Sequence, residues 1–274
     1  MGSDPRADAM APLAPGPITT IGTGALAIDI APEAGGRIAQ IRLDGVEQLV
    51  GHGEGTSAAI AWGCYPMVPW AGRVRSGRFA SEGRRYNLPL NLGAHSIHGV
   101  GFTMPWRLES HGDDHAELAL SLPQDEHWPL GGTSRQRIEV GDCHLRLTLS
   151  ATAGERAMPA TIGWHPWFRK PDRLAFEPCR IYPRDADGIA IRPVVAPTPG
   201  PWDDCFINDR PVVIEREGHR VRMTSDCMHW VVYDAAAHAT CVEPQSGPPD
   251  AFNLEPMLLA PHTSVKAWFL LEWL

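Results

Sequence analysis

Alternation with a period of two dominates this chain. Leu145, Leu147 and Leu149 are interleaved with His144, Arg146, Thr148 and Ser150, so one edge of the segment is apolar and the other polar, as in a half-buried β-strand. Just upstream Gln136-Arg137-Ile138-Glu139-Val140 alternates as well, and Gly141-Asp142 between the two runs reads as a two-residue hairpin turn. Leu118, Leu120 and Leu122 repeat the pattern, as do Val265, Ala267, Phe269, Leu271 and Trp273 at the C-terminus. Further strands are expected over 26–30, 37–43, 106–109, 160–164, 212–215, 230–233 and 240–242. No segment carries a 3.6-residue apolar stripe long enough to cover a parallel sheet, so the expectation is a predominantly antiparallel all-β protein.

Composition supports that reading. Glycine (27) and proline (26) make up about a fifth of the 274 residues, enough to turn the chain many times between short strands. The hydrophobic share of 43% against 20% charged residues describes an ordinary globular protein. Strands continue across the Pro-rich stretches 193–201 and 245–249 without a change in composition, so residues 18–274 read as a single domain. Residues 1–17, rich in proline and early acids, read as a short disordered leader without a signal-peptide h-region. A cytoplasmic location is expected.

The net charge of −8 argues against a broad nucleic-acid or anionic-membrane surface, leaving small ligands as the expected partners. The six cysteines, Cys64, Cys143, Cys179, Cys205, Cys227 and Cys241, form no Cys-x-x-Cys, so zinc ribbons and dithiol redox motifs drop out. They read as mostly buried small hydrophobes.

Five segments place titratable side chains among glycines, prolines and aromatic residues. Tyr65 to Phe79 presents Arg73 and Arg75, whose guanidinium forks suit hydroxyls or carboxylates. His95-Ser96-Ile97-His98-Gly99-Val100-Gly101 has glycines that let backbone pass close to a ligand at His98. Trp164-His165-Pro166-Trp167-Phe168 sets an imidazole, which titrates near neutrality, between two indoles; a sugar floor and plain core are both open for those rings. Trp202-Asp203-Asp204-Cys205-Phe206 offers adjacent carboxylates for hydroxyl recognition or for a turn. Thr240 to Asn253 brings Glu243 to a strand end before a Pro-rich loop, as a poised general base or a turn-stabilising acid.

In this order the segments resemble the aldose 1-epimerase (galactose mutarotase) family, from Gly35-Gly36-Arg37 to the final strand. The most specific pieces are His98-Gly99, Trp-His-Pro-Trp-Phe at 164–168, and Glu243-Pro244-Gln245-Ser246-Gly247 continuing to Asp250-Ala251-Phe252-Asn253. The resemblance implies a β-supersandwich of large antiparallel sheets and a cofactor-free, metal-free interconversion of α and β aldose anomers. It implies Glu243 as the base that takes the C1 hydroxyl proton and His165 as the acid that protonates the ring oxygen. It further implies that His98, Arg73 and Asp203 bind the sugar. Asp203 is preferred to Asp204 because it lies three residues before Phe206. The chain departs from the family's usual pattern at Gly72, where an asparagine commonly precedes the arginine.

Three rivals follow from the same residues. A hexose-6-phosphate epimerase would draw on Arg75, Arg78, Arg84 and Arg85 for the phosphate. A carbohydrate-binding or sensing protein would have lost His165 or Glu243, and both are present. A metal-dependent hydrolase would gather His95, His98 and His165, which lie without a recognised ligand spacing. A monosaccharide is the expected partner, and the assembly a monomer or homodimer.

Overall fold

In a computed structural model, which describes residues 4–274, the chain forms two large antiparallel sheets. The ten-stranded sheet runs from Thr19–Thr23 at one edge through Leu26–Ala31, Arg37–Leu43, Cys64–Met67, Gly163–Arg169, Ala239–Gln245, His229–Tyr233 and Asp203–Ile207 to Arg180–Ile181 at the other; Val46–Glu47 pairs with Arg37–Leu43 off this path. The eight-stranded sheet runs from Arg107–His111 through His115–Ser121, Thr133–Val140, His144–Thr152, Ser264–Trp273, His219–Ser225 and Val212–Arg216 to Arg173–Ala175. The sequence expectation of an all-β chain therefore holds, with Ala251–Leu254 the one α-helix among the described residues.

Pleating explains the core. Leu145, Leu147 and Leu149 turn inward from one sheet, Trp164 and Trp230 from the other, and Phe269 meets both indoles with ring centroids 5.9 and 6.1 Å away. Such pairs hold sheet against sheet through area burial and edge-to-face contact. A polar tie crosses the same interface: Trp164 Nε1 donates to Gln136 Oε1 at 3.0 Å, and Gln136 Nε2 donates to the Gly36 carbonyl at 2.7 Å.

The strands differ from the sequence reading at three places. The hairpin turn is centred on Asp142-Cys143, one residue later than expected, because Val140 pairs with Leu145 and the Gly141 N–H donates to the His144 carbonyl. Strands expected to stop at proline run through it, Gly163–Arg169 across Pro166 and Ala239–Gln245 across Pro244. These strands are neighbours, and their ladder pairs Gly163 with Gln245 and Trp167 with Cys241 while leaving the positions between unpaired. Proline lacks the N–H that a ladder needs, so two prolines in the same gap are tolerated where one in an intact ladder would be costly.

The expectation of a disordered leader is also corrected over residues 4–17. Ala9 and Ala11 are buried, the Ala9 N–H donates to the Asn91 carbonyl, and Ala59 and Ile60 donate back to Ala11 and Ala9. Small alanines let this segment lie flat against the 57–60 loop, and backbone hydrogen bonds replace side-chain anchoring. Residues 1–3 lie outside the described residues.

Arg37 is fully buried, and its guanidinium donates to the carbonyls of Ala34, Ala59, Trp62 and Phe102 at 2.6–3.0 Å. It lies 4.1 Å from the Trp62 ring centroid and 5.0 Å from that of Tyr65, distances at which a cation gains from the ring face. Burial pulls its pKa down to about 9. Replacing Arg37 with methionine strips four buried carbonyls of their donors, and a loss on the order of 3 kcal/mol or more is expected. Urea unfolding followed by tryptophan fluorescence checks this; an unchanged midpoint would refute the anchoring role.

Candidate active site

Along Gly163–Arg169 alternate residues point to opposite faces, so Trp164 and Phe168 enter the inter-sheet core while His165 and Trp167 face away from it. The neighbouring strand does the same, with Val242 in the core and Cys241, Glu243 and Gln245 on the other face. Continuing the register inward from Gly163–Gln245 and Trp167–Cys241 sets His165 directly opposite Glu243, inside the gap left by the two prolines. The sequence thus places an imidazole and a carboxylate side by side on a rigid, central part of the sheet. His165 Nε2 and Glu243 Oε1 are 3.3 Å apart, and both side chains are almost wholly buried.

Loops fold over this face and leave a cavity of about 330 Å³, at the small end of ligand sites and suited to one small molecule. All five residues singled out from sequence, Arg73, His98, His165, Asp203 and Glu243, line it. Arg73 arrives on the short strand Arg73–Val74, which pairs with Ser96–Ile97 just before His98. The loops are cross-tied: the His98 N–H donates to the Gly72 carbonyl at 3.0 Å, and the Gly72 N–H donates to His98 Nδ1 at 3.3 Å. With Nδ1 accepting, the neutral ring carries its proton on Nε2. His98 has φ of +59°, a left-handed conformation that those two bonds hold in place. Gly99 follows with φ +73°, and a Cβ there would sit 1.9 Å from the Val68 carbonyl oxygen, so only glycine fits.

Asp203, on Asp203–Ile207, reaches the cavity, while Asp204 faces a separate depression; Arg184 spans the pair, contacting Asp203 Oδ2 at 2.8 Å and Asp204 Oδ1 at 2.9 Å. At Gly72 the wall has no side chain, and an added Cβ would meet Pro249 at 2.9 Å. Of the two indoles beside His165, Trp167 lines the cavity and stacks on the imidazole at 5.4 Å, and Tyr65 stacks on the same ring at 4.8 Å.

Several candidates lie elsewhere. His95 accepts the Ser76 N–H at Nδ1 and is absent from the cavity wall, so the three-histidine metal set does not assemble. Its place as a donor cluster is taken by His165, Cys241 and Glu243, whose ligand atoms fall within 4.8 Å of one another. Arg75 is engaged by Asp185 at 2.5 Å, Asp187 at 3.3 Å and Asp250 at 3.8 Å. Arg78, Arg84 and Arg85 also lie off the cavity wall, where Arg73 is the one arginine or lysine among the described residues. The cysteines are all free; four are buried, Cys179 is half-buried and Cys143 exposed.

Sequence reasoning missed Gln245, which is fully buried and donates from Nε2 to Glu243 Oε2 at 3.1 Å. Its signal was available, because residues i and i+2 of a strand share a face. Met10, Ile60, Leu92 and Tyr233, also on the wall, carry no sequence signal of that kind.

Burial sets the electrostatics. It pushes the Glu243 carboxyl well above its usual range, with the Asp203 charge adding to the effect and Gln245 and Arg73 opposing it. Burial also pulls His165 down to about 3, and the Arg37 charge acts in the same direction. His98 is held well below 6.5 by burial, His165 and Arg73. Burial in this site therefore favours an uncharged pair, carboxylic acid beside neutral imidazole.

These directions fix a pH dependence of stability. Below about pH 6.5 the unfolded chain protonates the two histidines and the folded one does not until far lower, so their contribution, present above 6.5, is lost as pH falls. Urea midpoints of a His98→Asn/His165→Asn variant should decline less than the parent's between pH 7 and pH 5. Glu243 acts oppositely: its contribution is full below about pH 4.5 and lost as pH rises. Glu243→Gln should therefore gain stability over the parent increasingly from pH 5 to pH 8, and a constant difference would contradict the burial argument.

Comparison with known proteins agrees with the fold. The family model described as Aldose 1-epimerase matches residues 18–272. An uncharacterized Escherichia coli K12 protein, YphB, is 33% identical over 155 residues, 55% of this chain; the match spans about half (51%) of that relative's length. Among solved structures, an Escherichia coli K12 protein provisionally named an aldose 1-epimerase superposes with a TM-score of 0.83 at 24% identity, covering 94% of this chain and 99% of its own. A galactose mutarotase-like protein from Clostridium acetobutylicum gives 0.81 at 17%, covering 92% and 93%. A galactose 1-epimerase from Lactobacillus acidophilus gives 0.77 at 19%, covering 92% of each chain. At these identities the structures speak for a shared galactose mutarotase-like fold, and the family model spans nearly the whole chain: this protein belongs to the aldose 1-epimerase family.

Proposed function

We propose that the protein is an aldose 1-epimerase acting on an unphosphorylated aldose, with Glu243 as base and His165 as acid. The observation that carries the reading is the buried His165–Glu243 pair, 3.3 Å apart in a single-sugar cavity beside His98, Arg73 and Asp203. Burial favours the uncharged form of the pair, and moving its proton from Glu243 to His165 gives carboxylate and imidazolium without changing the net charge. A bound sugar favours that form, because the C1 hydroxyl donates to the carboxylate and the ring oxygen accepts from the imidazolium.

The reaction then balances within the pair. Glu243 takes the C1 hydroxyl proton, the C1–O bond to the ring oxygen breaks, and His165 delivers its proton to that oxygen. The product is the open-chain aldehyde. Rotation about C1–C2 presents the other carbonyl face, and on reclosure His165 takes its proton back from the attacking hydroxyl while Glu243 gives its proton to the new C1 hydroxyl. No nucleophile or electron carrier enters this scheme. His98 Nε2–H and Arg73 offer donors to sugar oxygens, Asp203 offers an acceptor, and Trp167 supplies an aromatic face.

The wall's charge favours a neutral sugar over a 6-phosphate. Arg73 faces the acids Asp203 and Glu243 across the cavity, while Arg75 is held by three carboxylates outside it.

Polarimetry of freshly dissolved α-D-glucose and α-D-galactose tests the reading. The protein should accelerate mutarotation of at least one of them more than that of glucose 6-phosphate. Glu243→Gln and His165→Asn should each lower kcat on the order of 100-fold or more. A fully active Glu243→Gln variant would refute the assignment of the base, and no acceleration of any aldose would leave a sugar-binding protein.

A further inference from the structure

Glu243 presents two oxygens, and they are occupied on opposite sides. Oε1 meets His165 Nε2 at 3.3 Å, and Oε2 accepts from Gln245 Nε2 at 3.1 Å. Once ionised, Glu243 can only accept, and the Gln245 amide already turns its NH2 toward it, which places the amide carbonyl on the far side. That carbonyl oxygen, Oε1, is buried and has no partner within the protein, although Gln245 lines the cavity. A buried acceptor without a donor is costly, and Gln245 stands on the cavity wall, where a ligand can bring a donor.

The backbone is shaped for this side chain. Gln245 pairs with Gly163, and a Cβ at Gly163 would lie 3.1 Å from Gln245 Cγ and 2.4 Å from the Pro244 carbonyl oxygen. Any larger residue there would crowd the amide.

Resting on the epimerase reading above, we infer that Gln245 is both the positioning residue for Glu243 and the acceptor for the sugar's C2 hydroxyl, which restricts the enzyme to aldoses bearing that hydroxyl. The direction follows from bonding at C1. Its two ring neighbours are the ring oxygen and C2; the ring oxygen faces His165 on the Oε1 side of Glu243, so C2 lies toward Gln245 on the Oε2 side. The C2 hydroxyl donates to the open amide carbonyl, and the amide NH2 keeps Glu243 Oε1 aimed at the reacting hydroxyl. A 2-deoxy sugar would leave the carbonyl unpaired at the moment the site closes on it.

The test compares D-glucose with 2-deoxy-D-glucose, and D-galactose with 2-deoxy-D-galactose, as catalysed rates above the spontaneous background, for the parent protein and Gln245→Met. The parent should show kcat/KM on the order of 10-fold or more lower for the 2-deoxy sugars. Gln245→Met should lose kcat on the parent sugars and bring the ratio of the two kcat/KM values close to one. A merely structural glutamine would lower all rates and leave that ratio alone. Equal turnover of both sugars by the parent, or an unchanged ratio in the variant, overturns the inference. If Gln245→Met fails to fold, the parent's own ratio decides. If the parent turns over no aldose, the epimerase reading has failed, and calorimetric titration with the same sugar pairs takes over. Tighter binding of the 2-hydroxy sugars would then support the role of Gln245, and equal or absent binding would overturn it.

Discussion

The guanidinium of Arg37 is the fixed point on which the site depends. It gathers carbonyls from the turn at residue 34, the 59–62 loop and Phe102, so three separate segments meet at one cation. Neutral carbonyls rather than a carboxylate surround it, and a desolvated arginine can remain buried because each of its three nitrogens donates and two aromatic faces lie beside it. Tyr65 carries the effect onward, flanked by Arg37 on one side and stacked on His165 on the other. The cation thus shapes the wall of the cavity and adds its field to the burial that disfavours charge on the nearby imidazole.

Opposing demands meet in the gap between Gly163–Arg169 and Ala239–Gln245. A central strand pair should be laddered throughout, yet proton transfer needs two polar side chains on facing positions with freedom from competing backbone donors. Pro166 and Pro244 reconcile these demands by removing two N–H groups from the unpaired stretch of ladder. Register pairs at Gly163–Gln245 and Trp167–Cys241 close the gap at each end, which keeps its geometry fixed. The inner face of the same two strands remains ordinary core, with Trp164 and Val242 packed between the sheets.

Much of this was legible in the sequence because β-structure writes its burial with a period of two. The leucines at 145, 147 and 149 and the C-terminal strand point inward as their alternation requires. The five candidate residues stand out through short motifs that set titratable side chains among glycines, prolines and aromatic residues. What escaped notice depends on distance in space. Strands at 163–169 and 239–245 are buried on both faces, so neither shows alternation, and in sequence their prolines read as strand ends. Whether Trp164 or Trp167 would face a ligand could be settled only by register. The docking of Ala9 and Ala11 escaped because alanine and proline carry little local signal, and the partners that order them lie at 57–60 and 91.

That docked segment has a consequence for how such a protein can vary. Met10 forms part of the cavity wall although it belongs to neither sheet, and it is half open to solvent. The wall is therefore composed of two materials: a sheet face whose register forbids change, and a strap held by a few backbone bonds that tolerates it. Substitutions in the strap can reshape the cavity rim while the His165–Glu243 pair stays where the sheet holds it. A lineage in search of new ligands would find its cheapest steps at the margin of the fold and leave the centre alone.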